Sequence, residues 1–200
     1  GNLLPIYLIS GDEPLLIQEA RDSLRAAARQ QGFSERALYQ TDAGLDWQQL
    51  LQSANSISLF AERKIIEVRS HNAKPNDAAK KAIEAYCQNP SPDTLLLLVF
   101  PKSERATQQT KWYKALDKVA GNITIWPISP KFFPRWVDLR LKSEGLKVSS
   151  DAVSILASKV EGNLLACVQE IQKLKLVADD SGLIDARTMA NAVVDSARYD

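Results

Sequence analysis

Thr94-Leu95-Leu96-Leu97-Leu98-Val99-Phe100 is an unbroken apolar run, set between the turn Asn89-Pro90-Ser91-Pro92-Asp93 and Pro101. Bounded this way, the run reads as a strand. A strand without polar alternation is the kind that is buried on both faces of a parallel sheet. It is the longest apolar run in the chain and falls far short of the ~20 residues that a membrane span needs. Parallel strands are joined by crossovers, so helices are expected on either side.

Upstream of this run the sequence supplies three more strands and three helices. Ile6 to Ile9 is an apolar strand ending at Ser10-Gly11, and Pro14 fits the first turn of a helix that Asp12 or Glu13 can cap. That helix carries Leu15, Leu16, Ala20, Leu24 and Ala27 on one side and stops at Gly32. Ala37 to Tyr39 is a weaker strand. Asp46 with Gln49 reads as a capping box for a helix with Trp47, Leu50, Leu51 and Ala54 on one face. Arg63 to Val68 is a short β-branched strand, and Ala78, Ala79, Ala82, Ile83 and Tyr86 mark the third helix. Downstream, a single helix is expected over 108–119 with Trp112, Ala115, Leu116 and Val119 inward. The strand Ile123 to Trp126 follows. Five strands alternating with helices predict an α/β domain over residues 1–128, a mostly parallel five-stranded sheet with helices on both faces.

Composition changes beyond that point. Pro127, Pro130 and Pro134 cluster at a hinge, and no strand signal follows. Helices are expected from Phe133 to near Gly145, from a cap at Ser149 or Ser150 to Gly162, from Asn163 onward, and from Asp185 onward. The third has the stripe Leu164, Leu165, Val168, Ile171, Leu174 and Leu176; the fourth carries Met189, Ala192 and Val193. Residues 129–200 are therefore expected to form a small all-helical domain.

Of 200 residues, 45% are hydrophobic and 24% charged, and 25 basic residues stand against 24 acidic ones for a net charge of +1. No global field draws the chain to nucleic acid or to an anionic membrane. Cys87 and Cys167 each sit inside a helical pattern, as reduced intracellular thiols do, so neither a disulfide nor a metal site is expected. No signal peptide is visible, and a reducing cytoplasm is the expected location. The chain opens Gly1-Asn2, its only methionine is Met189, and Ala197-Arg198-Tyr199-Asp200 carries no stop signal. A fragment of a longer protein is expected.

A phosphate cradle would lie in the first strand-to-helix turn, Ser10-Gly11-Asp12-Glu13-Pro14-Leu15. A P-loop needs two glycines, a lysine and a hydroxyl residue. This turn has one glycine, two acids and a proline that deletes an amide donor. The fourth strand ends Phe100-Pro101-Lys102, without the acids that would hold magnesium, and no G-x-G-x-x-G occurs. His71, the single histidine, reads as a solvated loop residue, so histidine-dependent nucleophilic schemes have no base. The pairs Asp12-Glu13 and Asp179-Asp180 read as caps or solvated turns. Lys102, Arg105, Lys111, Lys114 and Lys118, and separately Lys131, Arg135, Arg140, Lys142 and Lys147, read as solvated faces interleaved with acids. No catalytic residue, cofactor or metal is expected.

One stretch remains. Ser56-Ile57-Ser58-Leu59-Phe60 ends the Asp46 helix with two large apolar residues where a polar turn would be expected. Leu59 and Phe60 either fold back over the core or form a plug for another protein's pocket, and pattern alone leaves both open.

Four stretches together resemble the delta subunit family of the bacterial DNA polymerase III clamp loader. They are Tyr7-Leu8-Ile9-Ser10-Gly11-Asp12-Glu13-Pro14-Leu15-Leu16-Ile17-Gln18-Glu19, Ser58-Leu59-Phe60-Ala61-Glu62-Arg63, Pro134-Arg135-Trp136-Val137, and Glu161-Gly162-Asn163-Leu164-Leu165-Ala166. The resemblance implies an AAA+-like (RecA-like) module that has lost its nucleotide site, followed by a lid-like helical domain. It further implies a collar domain after residue 200 that joins the gamma/tau and delta prime subunits. Delta subunits of this family open the ring-shaped sliding clamp, the beta subunit, by inserting a leucine-phenylalanine pair. Leu59 and Phe60 match that pair, with Ile57 and Ser58 beside them. The implied subunit has no ATPase activity of its own, works in DNA replication as part of a DNA-directed DNA polymerase complex, and meets DNA only indirectly or weakly. The alternatives are an atypical AAA+ ATPase and a direct DNA-binding module.

Overall fold

In the computed structural model, residues 2–41, 44–55, 63–72, 74–178 and 182–196 are described, without the side chains of 177 and 193–196. The chain divides into two compact units, Gly1–Pro127 and Ile128–Asp200.

The first unit runs β1 (Ile6–Gly11), α1 (Pro14–Gln30), β2 (Phe33–Gln40), α2 (Trp47–Asn55), β3 (Arg63–Arg69), α3 (Asp77–Gln88), β4 (Thr94–Phe100), α4 (Arg105–Gln108), α5 (Lys111–Asp117) and β5 (Ala120–Ile125). The strands form one sheet in the order β2-β3-β4-β1-β5, and every pairing is parallel. β4 lies at its centre with all seven residues buried. Alternation along the strands divides the core in two. Leu96, Leu98 and Phe100, with Ile6, Leu8, Ile66 and Val68, pack against Trp47, Leu50, Leu51 and Ala54 of α2, Ile83 and Tyr86 of α3, and Trp112 and Leu116 of α5. Leu95, Leu97 and Val99, with Ile9 and Ile65, pack against Leu24 and Ala28 of α1.

Several sequence expectations shift here. α1 buries Leu24 and Ala28, with the half-buried Ile17 and Ala20 packed beside them; Leu15, Leu16 and Ala27 are also half-buried but lie outside this cluster. The helix expected over 108–119 is shorter, α5 alone, and a separate four-residue α4 precedes it with Gln109 and Thr110 between them. β5 begins at Ala120, before Ile123, and ends at Ile125, so Trp126 lies beyond it and is 61% exposed. Gly121 is what admits this earlier start, because a Cβ there would meet the Tyr7 ring at 2.5 Å.

In the second unit, α6 (Phe133–Ser143), α7 (Ser150–Val160), α8 (Leu164–Val177) and α9 (Ala186–Ser196) surround a core that includes Val137, Leu141, Leu156, Cys167, Ile171 and Met189. Side-chain caps start three of these helices. Ser149 accepts from the Ala152 N–H, Asn163 from Ala166 and Asp185 from Thr188. β6 (Lys147–Val148) and β7 (Leu183–Ile184) pair in parallel beside the helices, a two-residue ladder too short to give a sequence signal. The α8 stripe is narrower than its leucines suggest, since Leu164, Ile171 and Leu174 are buried but Leu165 and Leu176 are 54% and 86% exposed. Among the described residues, no helix is long and apolar enough to cross a membrane.

Candidate functional site

Ile57, Ser58, Leu59 and Phe60 lie outside the described residues, but the elements that bracket them are well defined. α2 enters through Asp46, whose carboxylate accepts the Gln49 N–H at 3.0 Å. Its apolar face, Trp47, Leu50, Leu51 and Ala54, is buried. At its far end, the Ser53 carbonyl accepts the Lys64 Nζ at 2.7 Å and the Ala54 carbonyl accepts the buried Thr94 hydroxyl at 2.8 Å. An ammonium at a helix C-terminus offsets the negative end of the helix dipole, by roughly 0.3–1 kcal/mol at a surface. β3 thus supplies the basic group that α2's own last turn lacks.

The start of β3 is fixed just as firmly. Arg63 donates to the Gln31 carbonyl at 2.6 Å and to the Pro92 carbonyl at 3.1 Å, and its guanidinium lies 4.1 Å from the centre of the Phe33 ring. The Lys64 N–H donates to the Asp93 carbonyl at 2.9 Å. Both elements that bracket the stretch are thus fixed to the sheet.

The β1–α1 turn is chemically different from a phosphate cradle. Gly11 is required by the neighbouring strand, because a Cβ there would stand 2.6 Å from the Ile125 Cβ and carbonyl oxygen. Glu13 caps α1, accepting the Leu15 N–H at 3.4 Å, and Pro14 occupies the first turn. Asp12 accepts the Lys102 N–H at 3.2 Å, tying the turn to the end of β4. Two carboxylates therefore stand where a polyphosphate would need amide donors and positive charge.

The remaining candidates are placed as follows. His71 is an exposed loop residue. Cys87 and Cys167 are buried free thiols, and burial pushes both up to about 11. Asp179 and Asp180 lie outside the described residues. The basic groups are interleaved with partners. Lys111 pairs with Glu84 at 3.2 Å and Lys142 with Asp138 at 2.7 Å. The Lys102 Nζ stands 4.9 Å from the centre of the exposed Trp126 ring. Among the described residues, no group of His, Cys, Asp and Glu is placed to hold a metal ion.

One cluster escaped the sequence reading. Glu67, fully buried in β3, accepts from Arg21 at 2.6 Å, Arg69 at 2.8 Å, Arg36 at 2.9 Å and Arg25 at 3.4 Å. Burial pulls its carboxyl upward, but the Arg69 hydrogen bond and the nearby guanidinium charges outweigh this and hold it below the usual glutamate value. The signal was present in the strand's alternation, which puts Glu67 on the same inward face as Ile65.

A family model described as DNA polymerase III, delta subunit, matches residues 7–125. DNA polymerase III subunit delta of Escherichia coli K12 is 31% identical over 193 residues, which cover 96% of this chain and 56% of that protein. The Haemophilus influenzae subunit delta is 32% identical over 186 residues, covering 90% and 53%. The chain thus spans about half the length of the curated relatives it matches. Among solved structures, the Bacillus subtilis DNA clamp loader delta protein (YqeN) matches with a TM-score of 0.71 at 22% identity, covering 94% of this chain and 57% of that one. A structure of Thermotoga maritima RuvB matches at 0.55 and 11%, covering 95% and 61%. At these identities the two structures speak to the fold, which is the AAA+-like arrangement of a parallel sheet followed by a helical unit.

Proposed function

The chain belongs to the DNA polymerase III delta subunit family, and from that premise we propose that it binds the sliding clamp through Leu59 and Phe60, with Ile57 and Ser58 beside them, and opens the ring. The observation that carries this reading is the anchoring of the flanking elements. The last turn of α2 is held at Ser53 and Ala54, and β3 is held at Arg63 and Lys64. Force that reaches either flanking element is then passed to the sheet.

The energetics fit a modest interface with two anchors. Burying Leu and Phe contributes about 1.5–3 kcal/mol each, which is the scale of an interface hot spot. Opening needs no hydrolysis in this subunit, because a binder shifts a closed-to-open equilibrium by its differential affinity for the two states. The acidic β1–α1 turn supports the same division of labour. ATP acts in partner subunits, and contacts with gamma/tau and delta prime belong to the part of the family's length that this chain does not span.

The test is clamp binding by surface plasmon resonance, comparing the chain with Leu59→Ala plus Phe60→Ala. The expected loss is about 3 kcal/mol or more, over a hundredfold in Kd, with an unchanged melting temperature. Equal binding by the double variant would overturn the assignment.

A further inference from the structure

The Glu67 cluster holds more positive charge than it needs. Its four guanidiniums reach one carboxylate from three elements: Arg21 and Arg25 from α1, Arg36 from β2, and Arg69 from β3 itself. A carboxylate offers about four acceptor positions, and all are taken, since Oε1 receives Arg21 and Arg69 while Oε2 receives Arg25 and Arg36. Asp22 adds a second carboxylate, paired with Arg25. Four cations against two carboxylates leave two positive charges uncompensated within this group.

Several guanidinium donors are left over. Arg21 and Arg69 each bond Glu67 through Nε and Arg36 through one Nη2. Both Nη groups of Arg21 and of Arg69, and the Nε and Nη1 of Arg36, therefore have no acceptor among the described residues. Arg21 and Arg25 are nearly covered, with side chains 12% and 16% exposed, whereas Arg36 and Arg69 are 35% and 31% exposed. The cluster thus has a buried base and an open mouth. Mutual repulsion is already felt inside it, where burial and the charge of Arg36 push the Arg25 guanidinium down from its ordinary value. A dianion at the mouth would relieve that repulsion.

We propose that Arg21, Arg25, Arg36 and Arg69, ordered around Glu67, form a binding site for a phosphate group, which the more exposed forks of Arg36 and Arg69 grip. Guanidinium forks match phosphate oxygens in pairs, and here their own rotamers are fixed by the buried carboxylate behind them. The same chemistry accepts a free phosphate or a phosphate of a nucleic-acid backbone. This site is independent of the clamp-binding proposal and stands on the opposite face of β3 from α2.

The test is an NMR titration of the 15N-labelled chain at fixed ionic strength, following the arginine Nε–H resonances. Inorganic phosphate, exchanged for chloride, is expected to give saturable shifts at Arg36 and Arg69. Arg36→Gln should weaken binding at least about tenfold, roughly the worth of one charge-assisted hydrogen bond. Arg69→Gln, checked by the same melting curve, serves if Arg36→Gln unfolds. A thymidine oligonucleotide that competes for the same resonances identifies a backbone phosphate as ligand; phosphate saturation without such competition identifies a free phosphate group. Shifts that grow linearly without saturating, or that survive both substitutions, would overturn the site and leave the cluster a staple for the sheet edge.

Discussion

Replacing Glu67 by glutamine keeps the shape of the side chain and removes its charge, leaving four arginines without their common anion. Arg21 and Arg25 are the costly pair, since their side chains are 12% and 16% exposed. Charge-assisted hydrogen bonds of this kind contribute about 1.5–3 kcal/mol each. Arg36 and Arg69, about a third exposed, are screened by water and add only ~0–1 kcal/mol each. These contributions overlap because all four bonds end on one carboxylate, so the expected loss is about 3–5 kcal/mol, the range for removing one partner from a buried ion cluster. Glu67 is held below the usual glutamate value. Its contribution is therefore complete above the unfolded-state value of ~4.3 and is lost as pH falls through the folded value. Urea unfolding of Glu67→Gln beside the parent chain should show the full deficit at pH 7 and a shrinking one below about pH 4. A deficit under about 1 kcal/mol at pH 7, or one that does not change with acid, would refute the view that the carboxylate organises this face.

Three further outcomes are expected. Thr94→Val removes the hydroxyl that holds the Ala54 carbonyl; it should cost about 1–2 kcal/mol in thermal unfolding and lower clamp affinity while Leu59 and Phe60 stay intact. Cys87 and Cys167, with thiols pushed up to about 11, should resist alkylation in the native chain at neutral pH and react once urea unfolds it, as mass spectrometry would show. Mg-ATP at millimolar concentration should leave the melting temperature unchanged, because Asp12 and Glu13 occupy the turn that would receive the phosphates; a rise of several degrees would contradict that reading.

The sheet was legible because its central strand has no polar residue between Leu95 and Phe100, and burial on both faces leaves that mark. α2 was legible through Asp46 and the spacing of its apolar residues, all four of which are buried. The break between α4 and α5 was not, since residues 105–119 hold neither glycine nor proline and the packing of Trp112 and Leu116 fits an unbroken helix equally well. Leu165 and Leu176 misled for a related reason, because leucine favours a helix whether or not a neighbour covers it. The arginines around Glu67 come from three elements far apart in sequence, so no local spacing marks them as a cluster. Only the pairing of β2 with β3 and the packing of α1 bring them together. For the candidate site, the sequence placed Leu59 and Phe60 between a helix and a strand. It could not show that Lys64 and Thr94 anchor that helix end, because both contacts depend on tertiary placement.

A chain that acts as a lever on a ring must bind the open ring more tightly than the closed one. The most direct measurement is its Kd for a sliding clamp whose subunit interfaces are locked shut by engineered disulfides, compared with the same clamp after reduction. A lever predicts tighter binding to the reduced ring, by at least about tenfold, since only that ring can yield and each ~1.4 kcal/mol of opening cost is a factor of ten. Equal affinity for the locked and the reduced ring would mean that the chain docks on the clamp without opening it.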